Sequence, residues 1–300
     1  MQRTGRQNEE SLRGFLPLAI FTVLAPGAVG AFAVLRLMGG PALADAGVVI
    51  AAGLATGATL LHLGQPQQFF RATGNFLRSW LAREAVLFGG FTGLAGLYFL
   101  LRLTGLAPAA ANVLAGVATA AGLLAVLATA RVYAIPTRPA WGHWTGQVLF
   151  GVTLFTLGPV LAATLLLAAI RLTNTSAAVT TVAVPVLHIF IWLLCLLLGG
   201  LASLWRRQYL KSAGVLGALG IERWYGFVQG LRLLLGIVLP IGLLIYGLGA
   251  GRYPVWAMAL AVCLGELAER LLFFRAVVPV TLEGEIDRVR QEYMKVPAAL

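Results

Sequence analysis

Eight apolar runs, each close to twenty residues long, constrain this chain more than any other feature. They fall at about Gly14–Met38, Ala42–Leu63, Glu84–Leu103, Ala109–Ala134, Gln147–Ile170, Ala178–Leu204, Gly226–Gly249 and Pro254–Val278. A helix rising 1.5 Å per residue needs roughly 20 residues to cross a hydrocarbon core of about 30 Å. An open sheet cannot satisfy its backbone in lipid, so such runs must be helices. The expected fold is an all-α membrane protein, an eight-transmembrane-helix bundle over 14–278 within a single domain, 1–300. The first run exceeds the 7 to 15 residue core of a signal peptide and is read as a retained helix. Before it, residues 1–13 carry Arg3, Arg6 and Arg13 with no apolar helical face and are expected to be a disordered tail; 279–300 is expected to be a cytoplasmic C-terminal tail.

Composition agrees: 59% of the 300 residues are hydrophobic and 11% charged, where a soluble domain carries about 25% charge. The formal net charge of +11 does not indicate nucleic acid, because the basic residues are scattered between apolar runs rather than gathered in a patch. It indicates membrane orientation. With eight spans, both termini share a face with the second-to-third, fourth-to-fifth and sixth-to-seventh connections, and that face holds sixteen of the Lys and Arg residues. The other holds Arg36, Arg102, Arg171 and Arg252. By the positive-inside bias the termini and the basic loops are expected in the cytoplasm, with Trp80, Trp141, Trp144, Trp205 and Trp224 as an aromatic belt at that boundary. The longer connections, Gly64–Arg83, Ile135–Gly146 and Trp205–Tyr225, also lie there, where a partner or substrate would be received.

Ionisable residues at membrane depth cost a few kcal/mol or more and are functional candidates by default. Here they are His62, Glu84, Arg131, His188, Arg232, Glu266, Glu269 and Arg270. Glu266 and Arg270 are one turn apart and are expected to pair along one helix face as a structural pair. His62 closes the second span, before the helix-stopping Gly64 and Pro66, and Glu84 opens the third, so both lie at the mouth of the bundle. Helix capping is the bland reading of each. A haem would need two axial ligands at one depth, but His62 and His188 differ by roughly 15 Å and His143 lies in a loop, so no haem is expected. Cys195 and Cys263 stand alone in apolar runs, fewer than the about four ligands of an iron-sulfur cluster, so neither a cluster nor a metal site is expected.

Four motifs in order, HLGQP at His62–Pro66, SWLARE at Ser79–Glu84, ARVY at Ala130–Tyr133 with PAW at Pro139–Trp141, and GELAER at Gly265–Arg270, resemble the DmsC family. Its members are membrane anchor subunits of anaerobic dimethyl sulfoxide reductase complexes. Glu269 departs from the family motif, which has a small residue there. The resemblance implies an anchor without haem in a bacterial or archaeal cytoplasmic membrane. It would oxidise menaquinol and pass electrons to an iron-sulfur subunit, which serves a molybdopterin catalytic subunit. His62 and Glu84 match the family's quinol-site positions.

Chemistry supports the same residues. Quinol oxidation releases two protons and two electrons, so a site needs proton acceptors near water, an apolar slot and an outlet for electrons. His62 would hydrogen-bond a quinol hydroxyl and Glu84 accept a proton, with Phe69, Phe70 and Trp80 walling the slot. Arg71, Arg78 and Arg83 would dock the partner. The alternatives are a secondary transporter, for which Pro26, Pro159 and Pro240 supply breaks inside spans, and a passive anchor without a quinone site.

Overall fold

A computed structural model describes residues 2–62, 73–135, 138–173, 186–250 and 253–276; the side chains of 2–14, 60–62, 139 and 186–188 fall outside that description. Helix α1 is Gln2–Met38, α2 Ala42–His62, α3 Trp80–Thr104 and α4 Pro108–Val132. A one-turn α5 (Pro139–Gly142) precedes α6 (Trp144–Thr173) and α7 (Val186–Ser212). After another single turn, α8 (Val215–Ala218), come α9 (Glu222–Leu233), a π-helical segment Leu234–Val238, α10 (Leu239–Ala250) and α11 (Val255–Arg275).

The expected all-helical membrane protein is found, with one difference in the count. Seven stretches among the described residues are long and apolar enough to span, the last of them Glu222–Ala250, which runs unbroken through the π segment. At the place of the eighth expected span stands the 21-residue helix α11, set apart from those seven by Glu266, Glu269 and Arg270, three charges within two turns. A second difference lies at the start. Residues 2–13, expected to be disordered, continue the first span as helix. Their Arg, Gln, Glu and Leu residues are good helix formers, a propensity that outweighs the missing apolar face.

Helices α1 and α6 form the centre. Each packs against the other, and α2, α4 and α11 also lean on α1. The contact is close because small residues line it: a Cβ on Gly158 would fall 2.7 Å from the Gly30 backbone, and one on Gly30 would fall 2.2 Å from the Leu154 carbonyl oxygen. Without water between helices to drive association, such backbone approach and the van der Waals packing it allows hold a bundle together. Helices α2, α3 and α4 gather on one side with Phe32, Phe91 and Tyr98 in the core, while α7 and α9 to α11 gather on the other.

The π segment has a local cause. Pro240 has no N–H to offer the Gly236 carbonyl one turn earlier, so the ladder shifts and the Leu239 N–H bonds the Leu234 carbonyl five residues back. Gly236 there meets Gly265 of α11 so closely that a Cβ on Gly265 would fall 2.4 Å from the Gly236 Cα.

Gly30→Val should separate α1 from α6 and destabilise the bundle by about 1 to 3 kcal/mol or more, read as a lower melting temperature in detergent. Gly53→Ala, whose added Cβ meets nothing within 4 Å, is the control and should leave it unchanged.

Candidate functional site

Glu84 enters the bundle because of how α3 begins. Ser79 caps the helix, its hydroxyl accepting from the Ala82 N–H at 3.3 Å. Arg83 folds back over the cap and donates to the Phe76 and Leu77 carbonyls at 3.0 and 2.6 Å. Its guanidinium covers the Trp80 ring at 4.3 Å. With Arg83 turned back, Glu84 faces inward, 5% exposed, and accepts a 2.6 Å hydrogen bond from the Thr129 hydroxyl of α4.

Beside it stands an aromatic cluster at the same end of the bundle. Tyr133, just past α4, stacks on Phe150 of α6 at 5.3 Å and meets Trp141 and Phe273 edge to face. Arg270 lies over the other partner in that stack, its guanidinium 4.2 Å from the Phe150 ring centre. Tyr133 is thus within electrostatic reach of both Glu84 and Arg270. Trp141, expected in the boundary belt, is buried here with its indole N–H on the Phe273 carbonyl at 3.1 Å. Trp80, Trp144 and Trp205 are exposed as a belt requires.

A polar network fills the junction of α6, α7, α9 and α11. Four stripes at helical spacing converge: Thr153 with Thr156, Ser203 with Arg206, Gln229 with Arg232, and Glu266 with Glu269 and Arg270. All nine are buried. Glu269 accepts from Ser203 at 2.5 Å and from Arg232 Nε at 3.2 Å. Glu266 takes bonds from Thr153 at 2.7 Å and Thr156 at 3.1 Å, with Arg232 at 3.9 Å. Arg270 bonds the Leu149 carbonyl at 2.9 Å and the Thr153 hydroxyl at 2.5 Å. The expected pair of Glu266 with Arg270 is therefore not the contact made. Thr153 stands between them, and the ion pairs run across helices through Arg232, which reaches both carboxylates from α9.

Three guanidiniums face two carboxylates, so the network carries an excess positive charge. That excess falls on Arg206, whose three nitrogens have no hydrogen-bond partner among the described residues. It is held instead over the Phe273 ring at 4.5 Å, a cation–π contact that gains strength away from water. Gly146 makes the room: a Cβ there would lie 2.6 Å from Arg206 Nη1. Outside the spans, His143 stacks on Tyr209 with centroids 3.9 Å apart, and burial together with the Arg206 charge lowers its pKa.

The other expected site residues are placed as follows. His62 is the last residue of α2, its side chain outside the described set. Phe69, Phe70 and Arg71 lie outside the described residues altogether. Trp80 is 45% exposed on α3. Arg78 is exposed, whereas Arg83 is spent on the loop carbonyls. Arg131 is exposed at the end of α4. Sequence reasoning missed Thr129, Arg206, Gln229 and Ser203. The signal for three of these is the recurring spacing of three between polar residues inside apolar helices, as in Ser203 with Arg206 and Gln229 with Arg232; a lone Thr such as Thr129 carries no such signal. Cys195 and Cys263 are free, and among the described residues no three His, Cys, Asp or Glu side chains converge on a metal position.

The family model described as DMSO reductase anchor subunit (DmsC) matches residues 13–275. The chain belongs to the DmsC family. Similar curated relatives include YnfH of Escherichia coli, named as an anaerobic dimethyl sulfoxide reductase subunit, 31% identical over 53% of this sequence and 60% of its own length. The C subunit of the anaerobic dimethyl sulfoxide reductase of Escherichia coli is 33% identical over 50% of this sequence and 57% of its length. Its counterpart of the same name in Haemophilus influenzae is 31% identical over 51% and 58% respectively. The matched region thus covers less than two thirds of each relative. No solved structure matches this protein.

Glu269→Leu removes the strongest partner of Arg232 and leaves three guanidiniums facing one carboxylate. It should cost about 3 to 5 kcal/mol and lower the detergent melting point sharply, while Glu222→Leu, whose carboxylate is on the surface 3.2 Å from Lys211, should cost under about 1 kcal/mol.

Proposed function

We propose that this DmsC-family protein anchors a molybdenum and iron-sulfur oxidoreductase complex and oxidises menaquinol at Glu84 and His62. On this reading all eight long helices span the cytoplasmic membrane, α11 included, with the Glu84 end facing the cytoplasm. Electrons would pass to an iron-sulfur subunit and on to a molybdopterin catalytic subunit of the dimethyl sulfoxide reductase type. The relatives named above carry that activity in their names.

One observation carries the reading. Among the described residues, every other carboxylate buried in the bundle faces a guanidinium: Asp45 meets Arg102 at 2.7 Å, and Glu266 and Glu269 meet Arg232. Among those same described residues Glu84 has only the neutral Thr129 hydroxyl. A paired carboxylate is committed to its charge, but an acid in an apolar setting with a hydroxyl partner can exist protonated or ionised, which proton transfer requires. Thr129 fixes Oε1, leaving Oε2 free to take a proton from a quinol hydroxyl. That hydroxyl's partner oxygen would be held by His62 at the end of α2. Loss of two protons and two electrons converts the quinol to quinone, and the electrons must leave the chain, because its two cysteines cannot ligate a cluster. Exposed Arg78, with Arg71, would supply the docking charge at this end, while Arg83 shapes the entrance by holding the loop.

Glu84→Gln preserves shape and the Thr129 contact but removes the proton acceptor. In membranes holding the assembled complex it should lower menaquinol-dependent turnover by about 10² to 10⁴-fold, with turnover from an artificial donor that reduces the partner subunit directly left intact. Turnover near wild type in an assembled Glu84→Gln complex would leave a passive anchor. Loss of both turnovers would mean that the substitution breaks assembly, for which Thr129→Val, retaining the carboxylate, is the companion variant with a smaller expected loss.

A further inference from the structure

At the other end of α3 lies a second polar centre that quinol chemistry does not use. Glu84 and Arg102 are 18 residues apart on one helix, which puts them about 27 Å from each other, on opposite faces of the membrane. A cavity of about 350 Å³ opens there, with Arg36, Tyr98, Arg102 and Asn112 as its polar lining. These residues come from the last turns of α1 and α3 and the second turn of α4, near helix ends that reach the head-group layer if these helices span the membrane.

The charges in it do not balance. Arg102 is satisfied, holding Asp45 at 2.7 Å and the Gly40 carbonyl at 2.6 Å. Among the described residues the hydrogen-bond partners of Arg36 are neutral: it donates to the Tyr98 hydroxyl and to the Asn112 amide oxygen at 3.3 Å, with its guanidinium 4.9 Å from the Tyr98 ring centre, and it shares the field of Asp45 with Arg102, which holds that carboxylate. Two guanidiniums against one carboxylate leave one positive charge beside an open cavity. A helix-end arginine is stabilised by the helix dipole, which accounts for each residue separately but not for their convergence on one cavity. The convergence also runs against the distribution of charge in the sequence, since two of the four basic residues read onto this face meet here.

The rest of the cavity is apolar. Leu101 and Leu106 line it, Leu106 being 63% exposed, and Leu37 and Leu103, the residues after Arg36 and Arg102, are exposed as well. A ligand suited to this site has a single negative charge rich in oxygen acceptors, sits at head-group depth and continues into apolar chains. We infer that the cavity binds the phosphodiester of an anionic phospholipid, with Arg36 and Asn112 holding the phosphate oxygens and the acyl chains lying over Leu103 and Leu106. Arg36 forms charge-assisted bonds to the phosphate that its neutral partners do not supply. Such a lipid would seal α1, α3 and α4 to each other at this face.

The test is native mass spectrometry of the full-length protein, purified in detergent and stripped of lipid, titrated with phosphatidylglycerol, phosphatidylethanolamine or inorganic phosphate. One phosphatidylglycerol should bind about tenfold more tightly than phosphatidylethanolamine, and millimolar phosphate should not displace it. Arg36→Gln should abolish that preference, and Asn112→Asp, which cancels the excess charge and gives Arg36 a partner without loosening the fold, should do the same. Arg171→Gln, an exposed arginine on the same face, should keep it. Equal binding of the two lipids, displacement by phosphate or by a menaquinone, or an unchanged preference in Asn112→Asp would each overturn the assignment.

Discussion

A charge inside this bundle is held from another helix, and that requirement organises much of the structure. Arg232 of α9 reaches Glu266 and Glu269 of α11, Arg102 of α3 reaches Asp45 of α2, and Arg270 of α11 bonds α6 at Leu149 and Thr153. An unpaired charge in hydrocarbon costs several kcal/mol, so these ties fix which helices are neighbours and in what register. Glycines serve the same ties from the other side. Gly146 leaves space for the Arg206 head, and Gly236 with Gly265 lets the π segment approach α11 where Arg232 must reach its carboxylates. Charge pairing and close backbone packing are two parts of one arrangement.

Against that background Glu84 stands out by what it lacks. Its partner among the described residues is a hydroxyl, and Tyr133, which senses both Glu84 and Arg270, is stacked on Phe150, whose ring carries the Arg270 guanidinium. Rings of this kind space the acid away from the guanidiniums while keeping it out of water. Had Arg270 faced Glu84 directly, the carboxylate would be held ionised and unable to alternate between its two states. Separation by the Tyr133 stack is therefore as much a part of the proposed chemistry as the acid itself.

The fold is legible in the sequence because twenty-residue apolar runs admit few structures in lipid. Seven of the spans follow from length and hydropathy, although α7 continues to Ser212 through residues read as loop from Trp205, and the one that stands apart, α11, is the one with three charges inside it. Residues 2–13 depart from expectation because local propensity extends the helix where no apolar face announces one. At the site, Glu84 is expected at the opening of its apolar run, and its burial follows only because the helix begins a turn earlier, at Trp80; Thr129 is not foreseeable, since threonines occur throughout these helices. Glu266 and Arg270 look like partners because spacing on one helix is visible in a sequence. Their true partners lie on other helices, and the relative rotation of two helices leaves no trace in either one's spacing. Trp141 shows the same limit: its position in the sequence marks the boundary, but only packing turns its ring inward.

The two polar ends then divide the labour of α3. Its start delivers an acid whose one partner among the described residues is neutral, and its last turn delivers a guanidinium paired with Asp45, leaving Arg36 as the open charge. An acid without a cation at one face and a cation without an acid at the other are complementary departures from the pairing seen elsewhere. Each is open to completion from outside: on the readings proposed above, by a proton donor at Glu84 and by an anion at Arg36. The helix between them is faced by Phe88, Phe91, Ala95 and Tyr98, apolar or aromatic residues packed against α1, so neither departure can relieve the other across the membrane. That isolation would let the proposed proton exchange at one face proceed independently of the anion proposed at the other.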